Sequence, residues 1–269
     1  MPSVSPTPPP ASVLNTFNAA GTPKPLPGGQ GRSWRVADTV FKPLDLFPES
    51  VEWQARVLPQ VSDSDVRVAP PIRAQDGRVV VDGWTAWTHV EGRHCERRWP
   101  EIISAGTNFH RAMANLDRPK FISQYNDPWA TGDRVAWGEH PINEFQAVPH
   151  IQRLSDHLRP VEAESQVIHG DLTGNVLFAD SLPPAVIDLA IYWRPPEFAT
   201  AIVVGDALTW EGADETLLST VAHIGHFPQF LLRALIYRIV TPALFRMDDT
   251  VESEFARAVE IACSAARVP

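Results

Sequence analysis

Three oxygen-bearing side chains stand close together in Gln166-Val-Ile-His-Gly-Asp-Leu-Thr-Gly-Asn-Val-Leu-Phe-Ala-Asp-Ser-Leu-Pro-Pro-Ala-Val-Ile-Asp188. Asp171, Asn175 and Asp188 have no Lys or Arg between them, and converging carboxylates repel one another unless a hard cation sits among them. Mg²⁺ takes carboxylate and amide oxygens together with substrate phosphates, so the set points to a magnesium and nucleotide site. Singly, Asp and Asn are as much at home stabilising turns; the combination carries the chemistry.

These residues need a scaffold, and the segment reads as strand, polar loop, strand, turn, strand. Val176 to Phe178 and Ala185 to Ile187 are short β-rich runs separated by six residues of turn chemistry, 179–184, which predicts an antiparallel hairpin. Val176 then faces Ile187 and Asn175 faces Asp188, at the end where Asp171 lies. Upstream, strands are expected over Ser33 to Val36, Thr39 to Lys42, Val66 to Val68 and Arg78 to Trp84, with Asp76-Gly77 as a turn and one helix over Pro48 to Leu58. Beyond Gly92 the period changes. Ile102, Ala105, Phe109, Ala112, Met113 and Leu116 recur at helical spacing, Ile142 to Leu158 looks helical, and Phe230 to Val240 is apolar on nearly all sides, as in a buried helix. Residues 1–12 are Pro-rich and read as an extended tail outside the fold. The expectation is an α+β chain of two lobes: a small antiparallel sheet with one helix over 13–92, a hinge near Trp87 to Gly92, and a mainly helical lobe over 93–269.

Composition removes other classes. The chain has 269 residues with a net charge of −9, opposite to what phosphate-backbone binding requires. Residues 167–269 hold six Arg against thirteen Asp or Glu, an excess that favours a metal or a cationic substrate there. Cys95 and Cys263 are too few for a disulfide framework, and no Cys-x-x-Cys exists for zinc. There is no signal-peptide pattern, and Arg233 and Arg238 interrupt an apolar stretch too short to span a bilayer. Neither a nucleic-acid nor a membrane partner is expected, and the cytoplasm is the expected compartment. A P-loop and a nucleophile elbow are both missing from the sequence.

His169-Gly170-Asp171-Leu172 followed by Asn175, with Ile187-Asp188 on the next hairpin strand, resembles the catalytic segment of aminoglycoside phosphotransferases, choline kinases and related small-molecule kinases of the protein-kinase-like fold. The resemblance implies ATP and Mg²⁺ as cofactors and transfer to a hydroxyl of a small molecule. Asp171 matches the carboxylate that accepts the hydroxyl proton, Asn175 and Asp188 match the metal-holding pair, and His169 matches a residue that buttresses the loop. Pro27-Gly28-Gly29-Gln30-Gly31 resembles the nucleotide-covering loop. Lys42, one of three lysines against twenty arginines, occupies the place of the lysine that steadies the α- and β-phosphates, with Glu52, in preference to Glu49, holding it. Trp87 and Val90 fall where a hinge flanks adenine. Asp206 matches an Asp that braces the catalytic loop. Arg194 could reach phosphate, although a surface ion pair is the more ordinary role. The run from Trp193 to Trp210 also resembles an actinobacterial branch of the superfamily.

One departure stands out. The family commonly has four residues between the Asp and the Asn; here there are three, Leu172-Thr173-Gly174, with Gly174 suited to a tighter bend. The shortening leaves two alternatives beside an active kinase: a nucleotide-binding module without activity, or an interaction scaffold.

Overall fold

In the computed structural model, residues 7–27, 31–61, 65–245 and 251–267 are described, and the chain divides into two units. The first comprises Met1–Arg93 and Leu177–Asp188; the second comprises His94–Val176 and Leu189–Pro269.

The first unit is built on a five-stranded antiparallel sheet in the order β1-β2-β3-β6-β5, formed by β1 (Lys24–Pro25), β2 (Trp34–Val36), β3 (Thr39–Pro43), β5 (Val80–Val81) and β6 (Trp84–Thr88). Strand alternation gives the sheet two distinct faces. On one, Val36, Phe41, Val81 and Ala86 form a core with Val13, Leu14 and Phe17 of the N-terminal segment. That segment contains helix α1 (Ala11–Thr16), and Phe17 meets Phe41 edge to face at 5.7 Å. The Pro-rich stretch therefore does not stay out of the fold as far as residue 12: Pro9 is already buried, and the helix starts at Ala11 because three apolar side chains have a sheet face to cover. On the other face Val40, Val80 and Trp87 pack with Val51 of α2 (Pro48–Val57). Replacing Phe17 by Ala is expected to lower the unfolding free energy by about 3 kcal/mol, measurable by urea unfolding; an unchanged midpoint would return the N-terminal segment to the status of a tail.

Two turns redraw the expected strands. The run Arg78 to Trp84 is broken at Asp82-Gly83, both at positive φ (48° and 76°), as the twist of a two-residue hairpin demands. The Val176 hairpin is likewise tighter than expected: β8 (Val176–Ala179) and β9 (Leu182–Val186) flank Asp180-Ser181, with Ser181 at φ 61°. Because β9 ends at Val186, Ile187 and Asp188 lie beyond the strand that spacing assigned them to. Pro183 and Pro184 extend the strand instead of forming a turn, and the Pro183 carbonyl accepts from Arg67 Nε at 2.8 Å.

The first unit also takes in 177–188, which the expected division near residue 92 left with the helical lobe. β9 pairs in parallel with β4 (Arg67–Val68), and Phe178 exchanges two backbone hydrogen bonds of 2.9 Å with Arg93. Those bonds join the hairpin to the first unit.

The second unit is organised around α7 (Phe227–Leu244), which contains the expected Phe230 to Val240 run and buries residues on every side. It packs against α4 (Pro128–Ala136), α6 (Pro196–Trp210), α8 (Val251–Ala265) and α5 (Ile151–Ser155), while α3 (Trp99–Met113) packs on α6 and on β7 (Gln166–His169). Close approach of α4 to α7 needs Gly132, where a Cβ would stand 2.5 Å from Thr241 Oγ1. The single helix expected over 142–158 is broken: a 3₁₀ turn over Ile142–Phe145 and the short α5 are separated where His150 takes φ 71° just after Pro149. α6 was invisible to periodicity because eleven of its residues are buried and it has no polar face. Among the described residues no helix is long and apolar enough to cross a membrane.

Candidate active site

The loop expected to carry the chemistry leaves β7, which pairs antiparallel with β10 (Ile191–Arg194), His169 opposite Ile191. Gly170 N–H donates to the Ala190 carbonyl at 2.8 Å. His169 is fully buried. Its Nδ1 accepts from the backbone N–H of Asp171 (3.2 Å) and of Ala190 (3.3 Å), so it ties the loop to the next strand through the backbone. The His169 N–H in turn donates to Nε2 of His110, on α3, at 3.1 Å.

That last bond requires a neutral His110. Burial, helped by the neighbouring His169, pulls the His110 pKa down to about 3 from 6.5. A ring neutral in the fold and protonated in the unfolded chain contributes stability that is complete above pH 6.5. The contribution is lost as pH falls from there toward 3, at about 1.4 kcal/mol per unit, or about 3 kcal/mol by pH 4.5. His110→Gln, whose amide oxygen can still accept from His169, should lose less stability between pH 7.5 and 4.5 than the native chain; equal losses in urea unfolding would exclude His110 as the source.

Beyond His169 the loop turns on itself. Asn175 N–H donates to the Leu172 carbonyl at 3.0 Å, with Gly174 at φ 82°, a conformation that glycine adopts without strain. Asn175 Nδ2 donates to the Asp171 carbonyl (2.7 Å) and to Asp171 Oδ2 (3.2 Å). From α3, Gly106 makes room for Leu172, whose Cδ1 would lie 2.4 Å from an added Cβ. The Asp171 side chain keeps 42% of its surface exposed.

Its other oxygen leads inward. Arg238 Nη2, on α7, donates to Asp171 Oδ1 at 2.7 Å and to Asp206 Oδ2 at 2.7 Å, and Arg238 Nε donates to Asp206 Oδ1 at 2.8 Å. The Arg238 and Asp206 side chains are 6% and 2% exposed. Burial pushes the Asp206 carboxyl up, opposed by Arg238; burial would also discharge Arg238, but Asp206 and Asp171 outweigh it and keep the guanidinium charged. Asp206 braces the loop, as the resemblance implied, but through Arg238. Sequence reasoning missed that arginine as a site residue. The signal was a charge inside an otherwise apolar helix, read only as an interruption.

Arg194 is not a surface pair either. Its side chain is 12% exposed, forks onto Asp133 of α4 at 2.7 and 3.0 Å, pairs with Glu139, and lies 5.2 Å from the Trp137 ring centre.

In the first unit, Lys42 projects from β3 and its ammonium is ion-paired with Asp188 Oδ1, which follows β9 at φ 52°. Glu52, expected to hold Lys42, forks instead onto Arg73 at 2.7 and 3.1 Å. The helix decides this: α2 buries Ser50, Val51, Gln54 and Val57 against its unit, which leaves Glu52 and Glu49 on the outward side. Trp87 sits within β6, its indole N–H donating to Thr85 Oγ1 at 2.9 Å and its ring in the core beneath α2, 5.9 Å from the Lys42 ammonium. It is therefore a core residue and not an exposed hinge residue. Val90 lies two residues beyond β6, half-buried. Gly31 takes φ 68° in open space; Gly28 and Gly29 lie outside the described residues.

Among the described residues no group of three or more His, Cys, Asp or Glu could hold a metal. The two oxygens that the resemblance assigns to a metal, the Asp188 carboxylate of the first unit and the Asn175 amide oxygen of the second, are each of the kind that Mg²⁺ takes.

Comparison with known proteins gives the family and the fold. Residues 24–192, more than half of the chain, match the phosphotransferase enzyme family. The chain belongs to that family, and its fold is the two-lobed, protein-kinase-like α+β fold. An aminoglycoside phosphotransferase from Alicyclobacillus acidocaldarius superposes with a TM-score of 0.65 at 14% identity, over 99% of this chain and 98% of that one. A microcompartment-associated aminopropanol kinase gives 0.61 at 16% identity, over 95% and 94%. A spectinomycin phosphotransferase in complex with ADP and spectinomycin gives 0.58 at 13% identity, over 93% and 95%. A search of curated proteins found no match.

Proposed function

We propose that the chain is an ATP- and Mg²⁺-dependent phosphotransferase acting on a hydroxyl of a small molecule. The observation that carries this reading is Asp171: a half-exposed carboxylate on a braced loop, its backbone held by His169 and its side chain by Arg238 and Asn175. Asp171 orients the acceptor hydroxyl and takes its proton as the new oxygen–phosphorus bond forms and the bond to the leaving ADP breaks. Lys42 steadies the nucleotide phosphates as a point charge. By the resemblance, Asp188 and Asn175 would each hold the metal, the latter through its amide oxygen because its nitrogen is engaged by Asp171. When bound, Mg²⁺ neutralises charge on the phosphates. Little covalent chemistry is left to the protein, so positioning and electrostatics dominate.

The relatives support the acceptor class: an aminopropanol kinase and phosphotransferases of aminoglycosides are all kinases of hydroxylated amines by their names. The acidic excess of residues 167–269 favours the same class, an amino-sugar or aminoalcohol.

The test is a panel of such compounds incubated with MgATP, scored for phosphorylated product. Transfer to any of them supports the reading. The three-residue spacing between Asp171 and Asn175 favours a second reading, a nucleotide-binding module without activity; MgATP binding with no transfer to any compound or to water would establish that one. A melting temperature unmoved by millimolar MgATP would sink both.

The ion pairs in the first unit give a sharper contrast. Lys42→Met should weaken MgATP binding at least about tenfold, the loss of one charged contact, whereas Glu52→Gln, at a residue paired with Arg73, should change it by less than about twofold. Isothermal titration of both variants reads the difference, and equal losses would reinstate Glu52 as the partner of the nucleotide lysine.

A further inference from the structure

Arg238 has more reach than charge neutralisation of Asp206 requires. Asp206 lies on α6, 32 residues before it, and already matches the guanidinium with two hydrogen bonds. Asp206 thus balances the charge of Arg238, and Nη2 also extends to Asp171 Oδ1, a carboxylate that the loop exposes. The guanidinium is fixed on its other sides by rings: its centre lies 5.2 Å from that of Tyr237 and 5.9 Å from that of Trp129. Tyr237 is itself fixed by a hydroxyl contact of 3.1 Å with Tyr192 on β10. The planar fork of Arg can serve two carboxylates at set angles, which an ammonium cannot do.

We propose that Arg238 is the positioning residue of the reaction: a rigid fork, aimed by Asp206, that holds Asp171 Oδ1 and so leaves Oδ2, 3.2 Å from Asn175 Nδ2, as the oxygen that takes the acceptor proton. This rests on the phosphotransferase reading above. It places control of the catalytic carboxylate on α6 and α7, outside the short loop that carries it, and assigns the two carboxylate oxygens different roles.

Two variants test it. Arg238→Lys keeps the charge and loses the fork. Arg238→Gln combined with Asp206→Asn removes both buried charges together, so neither is left unpaired. Both should melt cooperatively and bind MgATP within about threefold of the native chain. Turnover of MgATP, with water as acceptor, should fall by about 10- to 100-fold, the effect of displacing a catalytic group by about 1 Å. A crystal structure of Arg238→Lys should show the Asp171 carboxylate rotated away from its native rotamer. Native turnover in either folded variant overturns the proposal, as does an Asp171 rotamer unchanged in Arg238→Lys. Should the native chain transfer phosphate neither to water nor to any compound of the panel, the phosphotransferase reading fails, while the rotamer still decides whether Arg238 positions Asp171.

Discussion

Asp171→Asn will reduce phosphoryl transfer by about 10²- to 10⁴-fold, the range that a positioned general base supplies, and will leave MgATP affinity nearly unchanged. The substitution is close to isosteric. An amide oxygen can still accept from Arg238 Nη2; the amide gives up the 3.2 Å bond from Asn175 Nδ2, which keeps its shorter bond to the Asp171 carbonyl at 2.7 Å, so the loop keeps its shape, and the reading gives Asp171 no role on the nucleotide phosphates. What the amide cannot do is take a proton from a hydroxyl. Product formation and nucleotide titration on the same preparation separate the two effects. Turnover at the native rate would remove Asp171 from the role of base, and a parallel collapse of MgATP affinity would mean that this carboxylate belongs to the nucleotide site.

The second large effect is on stability. Asp206→Leu should cost about 3–5 kcal/mol, because it leaves the guanidinium of Arg238, 6% exposed, without the partner that makes two of its three hydrogen bonds to carboxylates. At this chain length the cost corresponds to a melting temperature lower by about 10 °C. Asp206→Leu with Arg238→Met removes the charges together and should recover most of the loss, since well-packed apolar replacements of a buried pair are often neutral or better. Differential scanning calorimetry of the single and double variants gives the comparison. A double variant no more stable than the single one would show that the loss comes from packing around α6 and not from an uncompensated charge.

Both experiments turn on a residue that the sequence did not advertise. Arg238 stands in Phe230 to Val240 as one polar interruption among two, and nothing in the spacing distinguishes it from Arg233, which instead serves the Gln229 and Arg159 carbonyls. The difference is which neighbour each meets. Arg233 and Arg238 are five positions apart on one helix and so point to different sides, and only the packing of α7 on α6 sets Arg238 opposite Asp206.

Lys42 makes the same point from the other side. Its scarcity and its place at the end of Thr39-Val-Phe-Lys42 singled it out correctly as a charged residue of β3, but its partner is Asp188, 146 positions away, and not a glutamate on the following helix. A helix rotates by 100° per residue. Burying Val51 against Trp87 therefore commits Glu52 to another direction, toward Arg73.

Whatever depends on a few adjacent residues was legible in the linear chain: the loop from His169 to Asn175, the bend at Gly174, the apolar stripe of α3, the burial of α7. Those features follow from backbone preferences and periodicity, which act over one or two turns of chain. The partners of Asp171, Lys42 and Glu52, the inclusion of α1 in the sheet's core and the assignment of 177–188 to the first unit were decided only in three dimensions. Each is a choice among many chemically equivalent partners, made by the packing of apolar faces that lie far apart in sequence.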